Sequence, residues 1–537
     1  MRIRVVESQF YKTAFVIFIA SILTSAAVAS ALDDMGVTAL RAVTTNLNGS
    51  GITVGQSEAS LTDDLKTWEV NPPNAYQTAS VFTYTSFGGT TNIFPNGLGV
   101  ESSHADDVGQ AFYGIAGGVA TNVARVDNSE ADFYYSNYIA NASLPGMGDS
   151  VVNQSFTFDP LSVTNQQQVD SEYDDYSVQN QTLFISAANN YVNATNVCAP
   201  GTSYNCISVG AYYDFNYYNS IGPTIDNGRC KPDITAIAGE TSFSTPEVAG
   251  AAAVLMQAAL RGDGGSDTNS AFDMRTIKAL LLNGAVKPGD WTNSTSSPLD
   301  ARYGAGVLNL LDSYTQLAGG KHRFIVANGV PEGGIHPPTG ATGTITALNG
   351  WAFNTNSSGD SFDSINHYYF NVTNATPGTE FSAVATLVWN RQLDQFNINN
   401  LSLFLYNCAN SNLVQCSTSL VDNVQHIYVP DLAQGRYDLQ VWKAGGMPGT
   451  DIVSFSEPYA LAWEFVASPM LAITTSGVNT AITWPLYPAG FLVETSTNLG
   501  SRAWSTNNLP SATIANGQNY LLLNTTNTAQ FFRLRFP

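Results

Sequence analysis

From Gly239 to Leu260 the chain reads Gly-Glu-Thr-Ser-Phe-Ser-Thr-Pro-Glu-Val-Ala-Gly-Ala-Ala-Ala-Val-Leu-Met-Gln-Ala-Ala-Leu, and after Glu247 only Gln257 interrupts the apolar and small positions. A helix apolar nearly all round belongs in the middle of a domain. Pro246 is expected within its first turn, where the amide it lacks would have no intrahelical partner. Gly250 and the alanines carry little side chain, so neighbouring backbones can approach closely. Ser242 stands where the helix starts, beside free amides and the positive end of the dipole, a place suited to stabilising an alkoxide or oxyanion. The plainer alternative is a capped core helix, since Ser and Thr are common N-caps.

Upstream, residues 51–59 predict a glycine turn and a short strand with the acidic Glu58 at its end. Residues 61–103 are rich in turns and aromatics. From His104 the apolar residues Val108, Ala111, Phe112 and Ile115 recur at helical spacing, ending at Gly117-Gly118. Strands are predicted over 119–126, 150–158, 182–188 and 206–212, with helices over 129–142 and 166–179 between some of them. Such alternation with apolar strands implies a parallel sheet covered by helices on both faces. Residues 274–282 predict a surface helix beside the central one, and 304–317 close the domain. After Gly319-Gly320 the period changes to two, as in Phe381–Trp389, Leu401–Tyr406, His426–Val429 and Tyr437–Trp442, without an intervening helix. That predicts an antiparallel β-sandwich over 321–468 and a smaller β module over 469–537.

Composition narrows the partners. The net charge is −21, which argues against nucleic acid, because phosphate binding needs clustered Lys and Arg. Charged residues make up only 12% of the chain. The polar surface therefore rests on Asn, Thr, Ser, Gln and Tyr, as suits a secreted β-rich protein. Arg2, Arg4 and Lys12, the apolar run 14–23 and small residues at 27–31 form a secretory signal over residues 1–31, which places the mature protein outside the cytoplasm. No later stretch is long and apolar enough to span a membrane. Five cysteines do not make a disulfide scaffold, and none has zinc-site spacing. Cys408 and Cys416 are candidates to close a short loop between two strands. Cys198, Cys206 and Cys230 leave one thiol over, and Cys206 fits a small buried hydrophobe.

A serine nucleophile needs a base, an orienting carboxylate and oxyanion donors. His104 is the only histidine before His322, so a base in the first domain has no rival imidazole. Glu58 ends a strand. Asn189-Asn190 follows the apolar strand Leu183–Ala188. In an open parallel sheet, strand ends and helix starts meet along one edge, where ligands bind. Ser242, His104, Glu58 and Asn190 can therefore converge.

These residues resemble the subtilisin-like serine peptidases. Thr241-Ser242-Phe243-Ser244-Thr245-Pro246 with Val248-Ala249-Gly250 is similar to the family's nucleophile motif, which implies Ser242, and not Ser244, as nucleophile. His104-Ala105-Asp106-Asp107-Val108-Gly109 resembles the histidine motif, and Ala187-Ala188-Asn189-Asn190 the oxyanion segment, implying Asn190 as side-chain donor beside the Ser242 amide. Lys231–Ile234 and Tyr303–Asn309 are further landmarks. The resemblance covers about residues 40–318 and implies a peptidase domain over 32–320, an α/β fold with a parallel sheet and helices on both faces, followed by all-β C-terminal domains. Residues 400–403, 422–426 and 435–439 resemble the jelly-roll barrel attached to some secreted subtilases, and 469–537 small fibronectin-like units. The family's aspartate is replaced by Glu58, with Asp63 and Asp64 as rival orienters. Asn189 replaces a glycine, mildly, since Asn tolerates left-handed angles. Glu240 adds charge beside the expected specificity pocket. No inhibitory propeptide is expected between signal and Gly51, so folding is expected to proceed without one or with help from the β domains.

The resemblance implies a polypeptide substrate and a Ser-His-Glu variant of the triad, with no cofactor required for the chemistry. Calcium sites are not readable from the residues. One alternative is an inactive subtilase fold kept as an extracellular binding protein. Another is the acid-acting relative with a glutamate base, which His104 and Asn190 argue against.

Overall fold

The structure is a computed structural model of the 537-residue chain. It describes residues 4–5, 31–61, 66–141, 145–158, 161–325, 343–374, 380–467, 471–476, 479–486, 491–497, 504–506, 509–515, 518–524 and 530–535. The signal-like segment lies almost wholly outside the described residues, as do Asp63 and Asp64.

The first unit is built on a nine-stranded, mostly parallel sheet. Its strands are β1 (Thr53–Glu58), β2 (Phe82–Ser86), β3 (Gly89–Thr91), β4 (Arg125–Glu130), β5 (Val151–Gln154), β6 (Leu183–Ala187), β7 (Ile207–Tyr213), β8 (Asn216–Tyr217) and β9 (Ile234–Ile237). They lie in the order β8-β7-β6-β5-β1-β4-β2-β3, with β9 paired to β7. Only β3 and β8 run antiparallel to their neighbours. The principal helices are α1 (Ser103–Tyr113), α2 (Val163–Asn180), α3 (Thr241–Arg261), α4 (Met274–Asn283) and α5 (Leu310–Ala318). The expected α/β architecture followed by antiparallel β-sheets is thus the observed one.

The near-total apolarity of α3 places it in the centre of the main core, with every residue from Ser244 to Met256 buried. Gly262, at φ 85°, ends it in the left-handed conformation that glycine adopts without cost. The one polar residue between Glu247 and Arg261 has a task. Gln257 Oε1 accepts the amides of Asn48 and Gly49 at 2.8 Å each, and its Nε2 donates to Asn46 O at 2.7 Å. The loop that launches β1 is thereby tied to α3. At Gly250 the helix lies tight against the end of α1 and the turn after it: a Cβ there would lie 2.6 Å from Val119 Cβ and 3.1 Å from Phe112 O.

Several expectations need correction. The strand predicted over 119–126 begins only at Arg125. Val119 and Ala120 instead fold back on the end of α1, their amides bonded to Ala111 O and Phe112 O, and are apolar because they pack under α3. The helix predicted over 129–142 is a single α turn, Ala131–Tyr134, followed by a π-helical turn, Tyr135–Ile139, because Ser129 and Glu130 complete β4. The helix expected on the surface at 274–282 is buried throughout from Thr276 to Asn283.

What buries it is the β-sandwich. One of its sheets contains β10 (Asn349–Ser357), β12 (Phe381–Trp389), β15 (Val424–Leu432) and β17 (Ser456–Ala467), and the other contains β11 (Ser364–Val372), β13 (Leu401–Asn407), β14 (Leu413–Ser417) and β16 (Gly435–Lys443). The period-two alternation sends Leu387, Trp389, Leu461 and Trp463 between the sheets. It sends Val388, Val424, Ala460 and Ala462 the other way, into the same core cluster as α3 and α4. Polar contacts seal this junction: Thr386 Oγ1 donates to Asn283 Oδ1 at 2.8 Å, and the amide of Cys230 to Asp422 Oδ1 at 2.7 Å. Cys408 and Cys416 are separate thiols. Cys416 pairs with Phe404, four residues from Cys408 along the strand, or roughly 13 Å at strand rise, beyond the ~7 Å Cα limit of a disulfide. The remaining cysteines are buried free thiols, and burial pushes Cys206 up to about 12, away from reactivity. The last unit holds a small core of Ile482, Trp484, Val493, Leu521 and Leu523.

Candidate active site

The parallel strands end along one edge, and the candidate residues sit there for local reasons. Glu58 is the last residue of β1, in register with Glu130 at the end of β4. Asn190 follows β6 after a turn at Asn189. Ser242 follows β9 as the second residue of α3. His104 is the second residue of α1, whose N-cap Ser102 accepts the Ala105 amide.

Glu58 and His104 meet directly, with Nδ1 3.1 Å from Oε2. The Glu58 side chain is 2% exposed and that of His104 12%. Burial disfavours the imidazolium, but the hydrogen bond and charge of Glu58, joined by Asp107 and Glu240, outweigh it and hold His104 above its ordinary proton affinity. The other ring nitrogen, Nε2, is buried and makes no hydrogen bond. The Phe243 ring lies 5.9 Å from the imidazole, centroid to centroid.

At the start of α3, Pro246 is the sixth helical residue, one turn later than expected. Its missing amide leaves the carbonyl of Ser242 without its helical partner. Ser155, just past β5, fills the gap: its Oγ donates to Ser242 O at 2.8 Å. Ser244 is engaged elsewhere, with Oγ donating to Thr241 O at 3.3 Å. Asn190 Oδ1 accepts both the amide of Thr241, at 2.9 Å, and its hydroxyl, at 2.7 Å. Two donors on one oxygen settle the amide's orientation and turn its NH2 group the opposite way. Asn189 adopts φ 85°, and its own Oδ1 accepts the Asn190 amide at 2.8 Å, so this asparagine serves where a glycine would otherwise be needed.

The sequence gives no supporting role to Gln56 or Ser155, and Thr241 enters it only as a neighbour of Ser242 in the nucleophile motif. Gln56 had a signal, since it shares a strand face with Glu58 two residues on. Among the described residues, no group of three or more His, Cys, Asp or Glu side chains is arranged to hold a metal ion, and no helix is long and apolar enough to cross a membrane.

Residues 97–306 match the family described as the subtilase family, Peptidase_S8. The likeness to that family is carried by this segment, and additional β-sheets follow it. His104, Asn190 and Ser242 fall inside the matched residues and Glu58 before them. Similar solved structures include the prenylagaramide maturation protease PagA, with 19% identity, 53% of this chain and 99% of that chain covered, and a TM-score of 0.37. Fervidolysin from Fervidobacterium pennivorans, a keratinolytic enzyme related to subtilisin, shares 12% identity over 93% of this chain and 76% of its own, with a TM-score of 0.35. Tripeptidyl peptidase 2 shares 11% identity over 73% of this chain and 47% of its own, at 0.32. No curated protein sequence matches the chain.

Proposed function

We propose that this subtilase is a secreted serine endopeptidase working through Ser242, His104 and Glu58, with Asn190 as oxyanion donor. The observation that carries the reading is the buried 3.1 Å contact between Glu58 Oε2 and His104 Nδ1, which leaves Nε2 as the nitrogen to serve a nucleophile. Ser242 Oγ attacks the scissile carbonyl carbon as its proton passes to His104 Nε2. The carbonyl π pair moves onto oxygen, where the Asn190 NH2 and the Ser242 amide receive it. As the tetrahedral centre collapses, the C–N bond breaks and His104 returns the proton to the departing amine. Water then repeats the sequence on the acyl-enzyme: His104 takes one proton, hydroxide adds to carbon, and Ser242 Oγ leaves reprotonated. Glu58 accepts the Nδ1 hydrogen throughout and offsets the imidazolium charge without taking the proton.

The substrate is an extended polypeptide. In support, Phe156–Thr157, directly after Ser155, pairs antiparallel with Arg4–Val5, so this edge takes up a chain in strand conformation. Removal of residues 1–31 as a secretory signal would open that edge to substrate. The test is reaction with a serine-directed fluorophosphonate followed by peptide mass mapping. The adduct is expected on Ser242, lost in Ser242→Ala and kept in Ser244→Ala; labelling that survives Ser242→Ala contradicts the assignment.

A further inference from the structure

Glu58 carries one methylene more than the aspartate it replaces, and its terminal torsion is broad and two-fold. A longer acceptor needs something to hold it. Alternation along β1 puts Gln56 and Glu58 on the same face, and both are buried, at 0% and 1% exposure. Gln56 Nε2 donates one hydrogen to Glu58 Oε1 at 2.8 Å and the other to Ala105 O at 2.9 Å. Gln56 Oε1 accepts the Tyr113 hydroxyl. That bond fixes which end of the amide is oxygen, so the donor edge must face Glu58. The main chain of Gln56 is held as well, its carbonyl accepting Asn128 Nδ2 at 3.1 Å.

We infer that Gln56, locked by Tyr113, is the positioning residue that fixes the Glu58 carboxylate against His104. Ala105 and Tyr113 belong to α1, the helix that carries His104. The amide therefore ties the carboxylate to the same rigid body as the imidazole it must face. With Oε1 of Glu58 occupied by Gln56, Oε2 is the oxygen left for Nδ1. Rotation of the carboxylate would break the bond to Gln56 and the bond to His104 together.

The inference rests on Glu58 being the orienting carboxylate, and the test separates the two ideas. The full chain is reacted with a fluorophosphonate, and the limiting rate kinact and the apparent affinity KI are measured. Gln56→Met, similar in length but without donor hydrogens, is expected to lower kinact roughly 10-fold while leaving KI unchanged. Tyr113→Phe, which frees the amide without removing it, is expected to lower kinact roughly 3-fold. In a Glu58→Gln background neither change should add a further loss, because the group they position is already gone. Wild-type kinact in Tyr113→Phe and in folded Gln56→Met, or equal losses in both backgrounds, overturns the positioning role. A Glu58→Gln chain that reacts at the wild-type rate refutes the triad reading itself, and this inference with it.

Discussion

Thr241 governs Asn190: the amide and hydroxyl of the first residue of α3 both bond to Asn190 Oδ1, at 2.9 and 2.7 Å. The same helix start that carries Ser242 thus aims the proposed oxyanion donor, and the two move as one. Asn190→Ala should lower kcat by roughly 10²–10³-fold with little change in KM, because the donor acts on the transition state. Thr241→Val keeps the backbone bond and loses the hydroxyl, so a smaller kcat loss of roughly 10-fold is expected. A change confined to KM in either variant would make Asn190 a binding residue.

The charges around His104 set a pH dependence whose sign follows from its role. A base must be neutral, so activity appears as pH rises through the His104 pKa. Glu58, Asp107 and Glu240 hold that pKa above the ordinary 6.5. Asp107→Asn should move the acid limb of kcat/KM to lower pH, and added salt should shrink the difference, since Asp107 is exposed. A limb that stays in place would show that Asp107 does not act on the imidazole.

Gly250 lets α3 lie against the turn that ends α1. Gly250→Ala should destabilise the fold by about 1–3 kcal/mol through overpacking on Val119, lowering Tm. Because α1 also carries His104, activity should fall below what the loss of folded protein accounts for. Unchanged Tm would mean that Val119 yields freely.

The candidate site was more legible in the sequence than the packing that holds it. Ser242, His104 and Asn190 stand out as candidates through ordered motifs, and Glu58 through the rule that parallel strands end on one edge. Their supports do not, because Gln56 and Ser155 are ordinary polar residues, and Thr241 only a motif neighbour, until the third dimension sets them beside a carboxylate, a proline-freed carbonyl and an amide. Val119-Ala120 shows the limit of apolar runs, which record burial and not conformation. The burial of α4 was invisible for a related reason: the face that covers it comes from strands far downstream, chiefly β12 and β17, which share one core with α3.

That shared core has a consequence for truncation. A chain ending at residue 320 would expose α4 and lose Thr386 as the partner of Asn283 Oδ1 and Asp422 as the partner of the Cys230 amide. Comparison of residues 32–320 with 32–468 by thermal unfolding should show a lower Tm or aggregation for the shorter chain. Equal Tm values would mean that the sandwich is stabilisingly neutral. An isolated 321–537 fragment, for its part, would bare Val388, Val424, Ala460 and Ala462.

Turnover of a casein substrate by Glu58→Gln, beside Asp63→Asn and Asp64→Asn, tests whether Glu58 is the triad carboxylate. Glu58→Gln should stay folded by circular dichroism and lose kcat by roughly 10⁴-fold, as when a triad carboxylate becomes an amide and the wrong histidine tautomer is favoured. The two aspartate variants should turn over like the wild type. Wild-type kcat in Glu58→Gln, with the loss appearing instead in Asp63→Asn or Asp64→Asn, would assign the orienting role to an aspartate and not to Glu58.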